Sequence, residues 1–193
     1  MVTFVLIAVN VAVYAYTAFL SQSLTAIDSA VIVEYGQSNL LVLRHGWYWQ
    51  LFTAMFVHVN IVHIAGNMLF LLIFGLRAEE MFRPEEYLAV YLFSGLAGNV
   101  LTLTMGTGFT SAGASGAIFG LFGAVVLYAR QVSNQPLVGA LAYAFILLML
   151  SIGLNVNVVA HFGGLVAGLI MGYTIARMRP KAKAFQYSYS YHA

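Results

Sequence analysis

Apolar residues fall into six long runs, at about 2–20, 50–76, 85–105, 114–129, 137–153 and 159–176. Polar breaks follow the even-numbered runs: RAEEMFRPEE (77–86), RQVSNQP (130–136) and RMRPKAK (177–183). A helix rises about 1.5 Å per residue, so ~20 apolar residues cross a ~30 Å hydrocarbon core. The runs are of that order and lack the ~10-residue alternation of an outer-membrane barrel. The pattern predicts an all-α polytopic membrane helix bundle of six transmembrane helices. The fourth and fifth runs are short, which places part of each inside protein or in thinned bilayer. Pro84-Glu85-Glu86 predicts a helix start, with proline in the first turn and carboxylates at the positive end of the dipole.

The first and second runs are joined by a long connection, 21–48, that mixes apolar stretches (AVIVEYG, NLLVL) with polar ones and leads into Trp47-Tyr48-Trp49. Its apolar content predicts folding into the outer leaflet or against the bundle, with the aromatics at the membrane–water boundary. The first run has no basic segment before it and no small-residue cleavage site after it, so it is expected to be a retained span. No internal repeat is evident. The expected organisation is one membrane domain over 1–180 and a short polar cytoplasmic tail over 181–193.

Composition agrees. The chain is 62% hydrophobic and 7% charged, against about 25% charged in soluble domains, so it cannot clothe a water-facing surface. Charge placement adds orientation. Arg77, Arg83, Arg130, Arg177, Arg179, Lys181 and Lys183 follow even-numbered runs, and only Arg44 lies in an odd connection. The positive-inside rule then predicts both termini in the cytoplasm of a multi-pass cell-membrane protein. Cysteine is absent, which removes disulfides, thiolate metal sites and a cysteine nucleophile.

Polar groups at membrane depth are candidates for function. The runs hold His58, His63, Asn67, Ser94, Asn99, Ser115 and His161, and no acidic or basic residue at mid-depth. Measured from the arginine that follows each inward-running span, Ser115 stands about 22 Å up, His161 about 24 Å and His63 about 21 Å. The three are level to within roughly one helical turn, toward the outer leaflet. Asn67 lies one turn below His63 on the same face. Small residues at four-residue spacing (Ala112, Gly116, Gly120 and Ala124 in the fourth span, Gly164, Gly168 and Gly172 in the sixth) make flat ridges expected to face each other. Those ridges would bring Ser115 and His161 together.

A serine hydroxyl needs a base to become a nucleophile, and neutral imidazole is the usual one. Ser115 and His161 therefore form the candidate catalytic dyad, without an acidic third member. The start of the fourth span offers backbone N–H groups around Ser115 to a developing oxyanion, and His63 and Asn67 offer side-chain donors. G-A-S-G-A lacks the last glycine of the G-x-S-x-G elbow, and H-E-x-x-H is absent. His58 and His63 lie about 140° apart on a helix with no carboxylate between them, which argues against a metal site.

These residues carry a resemblance. His63-Ile-Ala-Gly-Asn67, Gly113-Ala-Ser115-Gly116 and His161-Phe-Gly-Gly164-Leu-Val-Ala-Gly168 resemble the motifs of the rhomboid family of intramembrane serine proteases, of minimal six-span prokaryotic type. The resemblance implies a hydrolase, a serine endopeptidase that cuts transmembrane segments of substrate proteins near the outer face. It implies Ser115 as nucleophile, His161 as base, and His63 and Asn67 at the oxyanion hole. Glu79 resembles a structural glutamate at the inner end of the second span. Two positions depart from the family. Gln50 follows Trp49 where arginine is common, so the outer loop is expected to be anchored differently. Phe119 stands where many bacterial members carry tyrosine, and it can still pack on the imidazole. His58 is expected to play a structural hydrogen-bonding role.

The expected partners are single-span membrane proteins and the lipid bilayer, with no cofactor, no metal and no nucleic acid. Two other classes compete: a non-proteolytic rhomboid-like factor that binds client helices, and a transporter or channel, which the lack of intramembrane charge weakens. Peptide hydrolysis at this depth needs water. A cavity open to the outside above Ser115 is expected, roofed near 153–158 and flanked by the fifth span, the candidate gate.

Overall fold

The computed structural model describes residues 1–133, 139 and 157–179 of the 193. Five helices among the described residues are long and apolar enough to cross a membrane. They are α1 (Val2–Leu20), α5 (Ile61–Glu79), α6 (Pro84–Thr102), α7 (Ser115–Ser133) and α8 (Val158–Met178). The chain is therefore a multi-pass membrane protein of helical class. The fifth run (137–153) lies outside the described residues, as do the tail and most of the expected roof.

Helix starts follow local chemistry. Side-chain oxygens of Asn60 and Asn157 accept the backbone N–H groups of His63 and Ala160, at 2.8 and 3.0 Å, and so cap α5 and α8. Pro84 opens α6 as expected, and Glu86 reaches back to the Arg83 N–H at 2.8 Å. The fourth span needs correction. It runs on through Arg130 to Ser133 and is not short. It is the central helix, with 61% of its span buried inside protein against at most 39% in the others. A helix wrapped by protein needs no thinned bilayer.

The second span also differs from expectation. Residues 50–60 do not extend it. Gln50–Thr53 form a single helical turn, α4, and 54–60 run as turns before α5 begins at Ile61. Ala54, Met55, Val57 and His58 are all at most 1% exposed. Their apolarity serves a protein interior, and hydropathy alone cannot tell that from lipid.

The 21–48 connection packs against the bundle. It contains α2 (Ser29–Tyr35), β1 (Gln37–Ser38) and α3 (Asn39–His45). Buried Gln37 donates to the Asn99 carbonyl at 2.9 Å, and Asn39 to the Thr102 carbonyl at 2.8 Å, so the loop is tied to the end of α6. β1 pairs antiparallel with β2 (Thr110–Ser111), in register Gln37 to Ser111 and Ser38 to Thr110. Trp47 and Trp49 stack with centroids 5.5 Å apart.

At the opposite end of the bundle, Arg179 donates to the Met81 carbonyl and the Tyr128 hydroxyl, each at 2.7 Å, and pairs with Glu86. This joins α8 to α6 and α7. Glu79 accepts the Thr3 N–H at 2.7 Å and anchors the start of α1.

Candidate active site

Among the described residues the most extensive helix pair is α7 with α8, and its glycines decide how close the two come. A Cβ on Gly164 would overlap the carbonyl oxygen of Gly116, one on Gly168 that of Gly120, and one on Gly172 that of Ala124. Ala112 is not part of this ridge, because it precedes the helix. The ridge begins at Gly116. A third helix uses the same surface, since a Cβ on Gly120 would also collide with Ser94 of α6. Backbone contact of this kind relies on dispersion and shape, which are the available cohesive terms where lipid is as apolar as the side chains.

At the top of the α7–α8 ridge, Ser115 Oγ and His161 Nε2 lie 2.7 Å apart. Ser115 is half-buried and His161 is 2% exposed. The hydroxyl reaches Nε2 as donor when the imidazole proton is on Nδ1. Among the described residues His161 Nδ1 is buried with no hydrogen-bond partner, and none of their carboxylates orients the ring. Phe119, one turn along α7, stacks on it instead, at 4.5 Å between centroids and 23° between planes.

The loop before α7 is built around Gly113. Its φ of 138° is strained for any residue with a side chain, and a Cβ there would stand 2.9 Å from Cε1 of His63. Its N–H donates to the Ala54 carbonyl at 2.9 Å, tying the loop to the 54–60 turns. Glycine thus lets the chain turn into α7 while His63 comes up against it. The first turn of α7 leaves N–H groups around Ser115 without intrahelical acceptors.

Ser115, His161, His63 and Asn67 all line one cavity of about 520 Å³. Asn67 is 7% exposed, and its amide nitrogen has no partner among the described residues. The cavity continues along Phe70, Phe74, Ile118 and Phe122. His58 lies outside it, fully buried in the turn before α5 rather than on the span. Its Nδ1 is 3.1 Å from the Phe56 carbonyl, and its ring meets His63 edge to face at 5.2 Å.

Several residues that hold this region in place were not singled out from the sequence. Asn157 and Ser111 line the cavity and are hydrogen-bonded to each other at 2.9 Å. An asparagine directly before the apolar run of α8 is a helix-start signal that points to the first of them. Gln50, the departure beside Trp49, anchors the connection through its side-chain amide. Fully buried, it accepts the Ser38 N–H at 2.9 Å and donates to the carbonyls of Val33 and Glu34 at 2.7 and 2.8 Å. One neutral amide thereby holds both α2 and β1.

A family model described as "Rhomboid domain" matches residues 45–178. Among similar proteins, RHOMBOID-like protein 6, mitochondrial, of Arabidopsis thaliana is 37% identical over 140 residues, covering 69% of this chain and 45% of that protein. Rhomboid protease GluP of Bacillus subtilis is 31% identical over 165 residues, covering 82% of this chain and 32% of that protein. Rhomboid-like protease 2 of Toxoplasma gondii is 30% identical over 178 residues, 89% of this chain and 62% of that protein. The chain thus spans between about a third and three fifths of these relatives.

Proposed function

The chain belongs to the rhomboid family, and from that premise we propose that it is an intramembrane serine endopeptidase acting through Ser115 and His161. The observation that carries this reading is the 2.7 Å hydrogen bond between Ser115 Oγ and His161 Nε2 at a cavity within the membrane-spanning bundle. It also weighs against a non-proteolytic binding factor, which has no need of such a pair.

Ser115 Oγ attacks the scissile carbonyl while His161 Nε2 takes its proton. The tetrahedral oxyanion is met by the N–H groups at the start of α7, the amide of Asn67 and the imidazole of His63. His161 then returns the proton to the leaving amine, and an acyl-enzyme remains. Water, deprotonated by the same imidazole, releases the second product and restores the serine. The substrates are single-span membrane proteins, whose scissile segment must unwind to expose a carbonyl. By the placement of arginines, the site faces the outer side and the termini the cytoplasm.

The test is cleavage of a single-span substrate by purified protein. Ser115→Ala and His161→Ala should each lower the rate by about 10³-fold or more. Cleavage by Ser115→Ala at the wild-type rate would remove the proposal.

A further inference from the structure

Asn157 makes three hydrogen bonds with one side chain. Its oxygen accepts the Ala160 N–H at 3.0 Å, while its nitrogen donates to Thr102 Oγ at 2.7 Å and Ser111 Oγ at 2.9 Å. The cap fixes which way the amide faces, since a flipped amide would set N–H against N–H. Both amide hydrogens are then committed. The direction is consistent on the far side too, because Thr102 Oγ passes its own hydrogen to the Gly98 carbonyl at 2.9 Å.

The three segments joined are the end of α6, strand β2 and the first turn of α8. Ser111 lies four residues before Ser115, and Asn157 four residues before His161. The Asn157–Ser111 bond is therefore a cross-link one step above the Ser115–His161 bond. One step below, Gly116 and Gly164 are in backbone contact. The dyad is held between a polar tie and an apolar one.

We propose that Asn157 is a positioning residue that sets the separation of Ser115 and His161 through its bond to Ser111; this rests on the reading of Ser115 as nucleophile. The glycine contact fixes how close α7 and α8 lie. It does not fix the segment 111–114, which approaches α7 from outside the helix and turns through Gly113. That segment is held to β1 by strand pairing and to Ala54 by the Gly113 N–H, but those ties do not reach α8; Asn157 links it to the helix that carries His161. Release of Ser111 lets the start of α7 shift relative to His161, and displacements of that size are costly to a reaction needing aligned atoms.

The experiment measures the rate at which a small fluorophosphonate labels Ser115 in purified protein, with kcat and KM for a single-span substrate alongside. The probe needs no substrate docking, so it reads nucleophile activation. Ser111→Ala keeps the helix cap and the Thr102 tie, and remains informative if Asn157→Ala folds poorly. Each variant should label about tenfold more slowly, with kcat reduced by the same factor and KM unchanged. The double variant should label no more slowly than Asn157→Ala, because the two share one contact. Wild-type labelling rates in both single variants, losses confined to KM, or slowing that multiplies in the double variant would overturn the proposal. An unlabelled wild-type protein would instead overturn the nucleophile, and the positioning role with it.

Discussion

Gly168 faces the carbonyl of Gly120 so closely that a methyl group on it would overlap that oxygen. The atom in the way is backbone, which cannot rotate aside. Gly168→Ala therefore has to push α7 and α8 apart, at a cost of about 1–3 kcal/mol. A lower thermal midpoint in detergent, together with loss of cleavage, is expected. Gly66→Ala is the contrast, since no atom of the described residues lies within 4 Å of its Cβ position, and its midpoint should not fall.

Phe119 stacks on the face of the His161 ring. An aromatic stack is worth about 0.5–1.5 kcal/mol beyond area. If it holds the ring in its reactive orientation, Phe119→Ala should lower kcat by about two- to tenfold. Steady-state kinetics on a single-span substrate would show this, and an unchanged kcat would limit Phe119 to packing.

Gln50 satisfies one N–H and two carbonyls from the 21–48 connection. Gln50→Ala leaves the buried Ser38 N–H and the two partly buried carbonyls short of a partner, for a loss of about 1–3 kcal/mol. Thermal unfolding should show it. Proteolysis of the connection should also become faster, because α2 and β1 lose their common anchor.

The absence of cysteine makes orientation directly measurable. Thr25→Cys and Glu80→Cys lie at exposed positions near opposite ends of the bundle. A membrane-impermeant maleimide added to intact cells should label the first and reach the second only after permeabilisation. The reverse pattern would overturn the outward-facing site.

The helices were legible where apolar length met a clear terminus. Val2–Leu20, Pro84–Thr102 and Val158–Met178 fall within a few residues of the runs that predict them. The start of α5 was not legible in the same way, because residues 54–58 are apolar for burial in protein. The Asn60 cap was the available signal. The candidate site was readable in part for a physical reason. Depth along a helix follows from residue count, and small residues every fourth position mark where two helices meet.

By itself, then, the sequence determined that the chain is a membrane bundle, which polar groups share a level, and which two faces could pack closely. Those properties are periodic and local, and each helix carries its own share. Only the tertiary structure decided that Ser111 meets Asn157, that Gln50 gathers α2 and β1, and that Gly113 must turn through a positive φ beside His63. These contacts join segments whose spacing along the chain is set by loops. A hydrogen bond between distant residues leaves no period in the sequence, since its energy depends on where the folded backbone brings the two atoms.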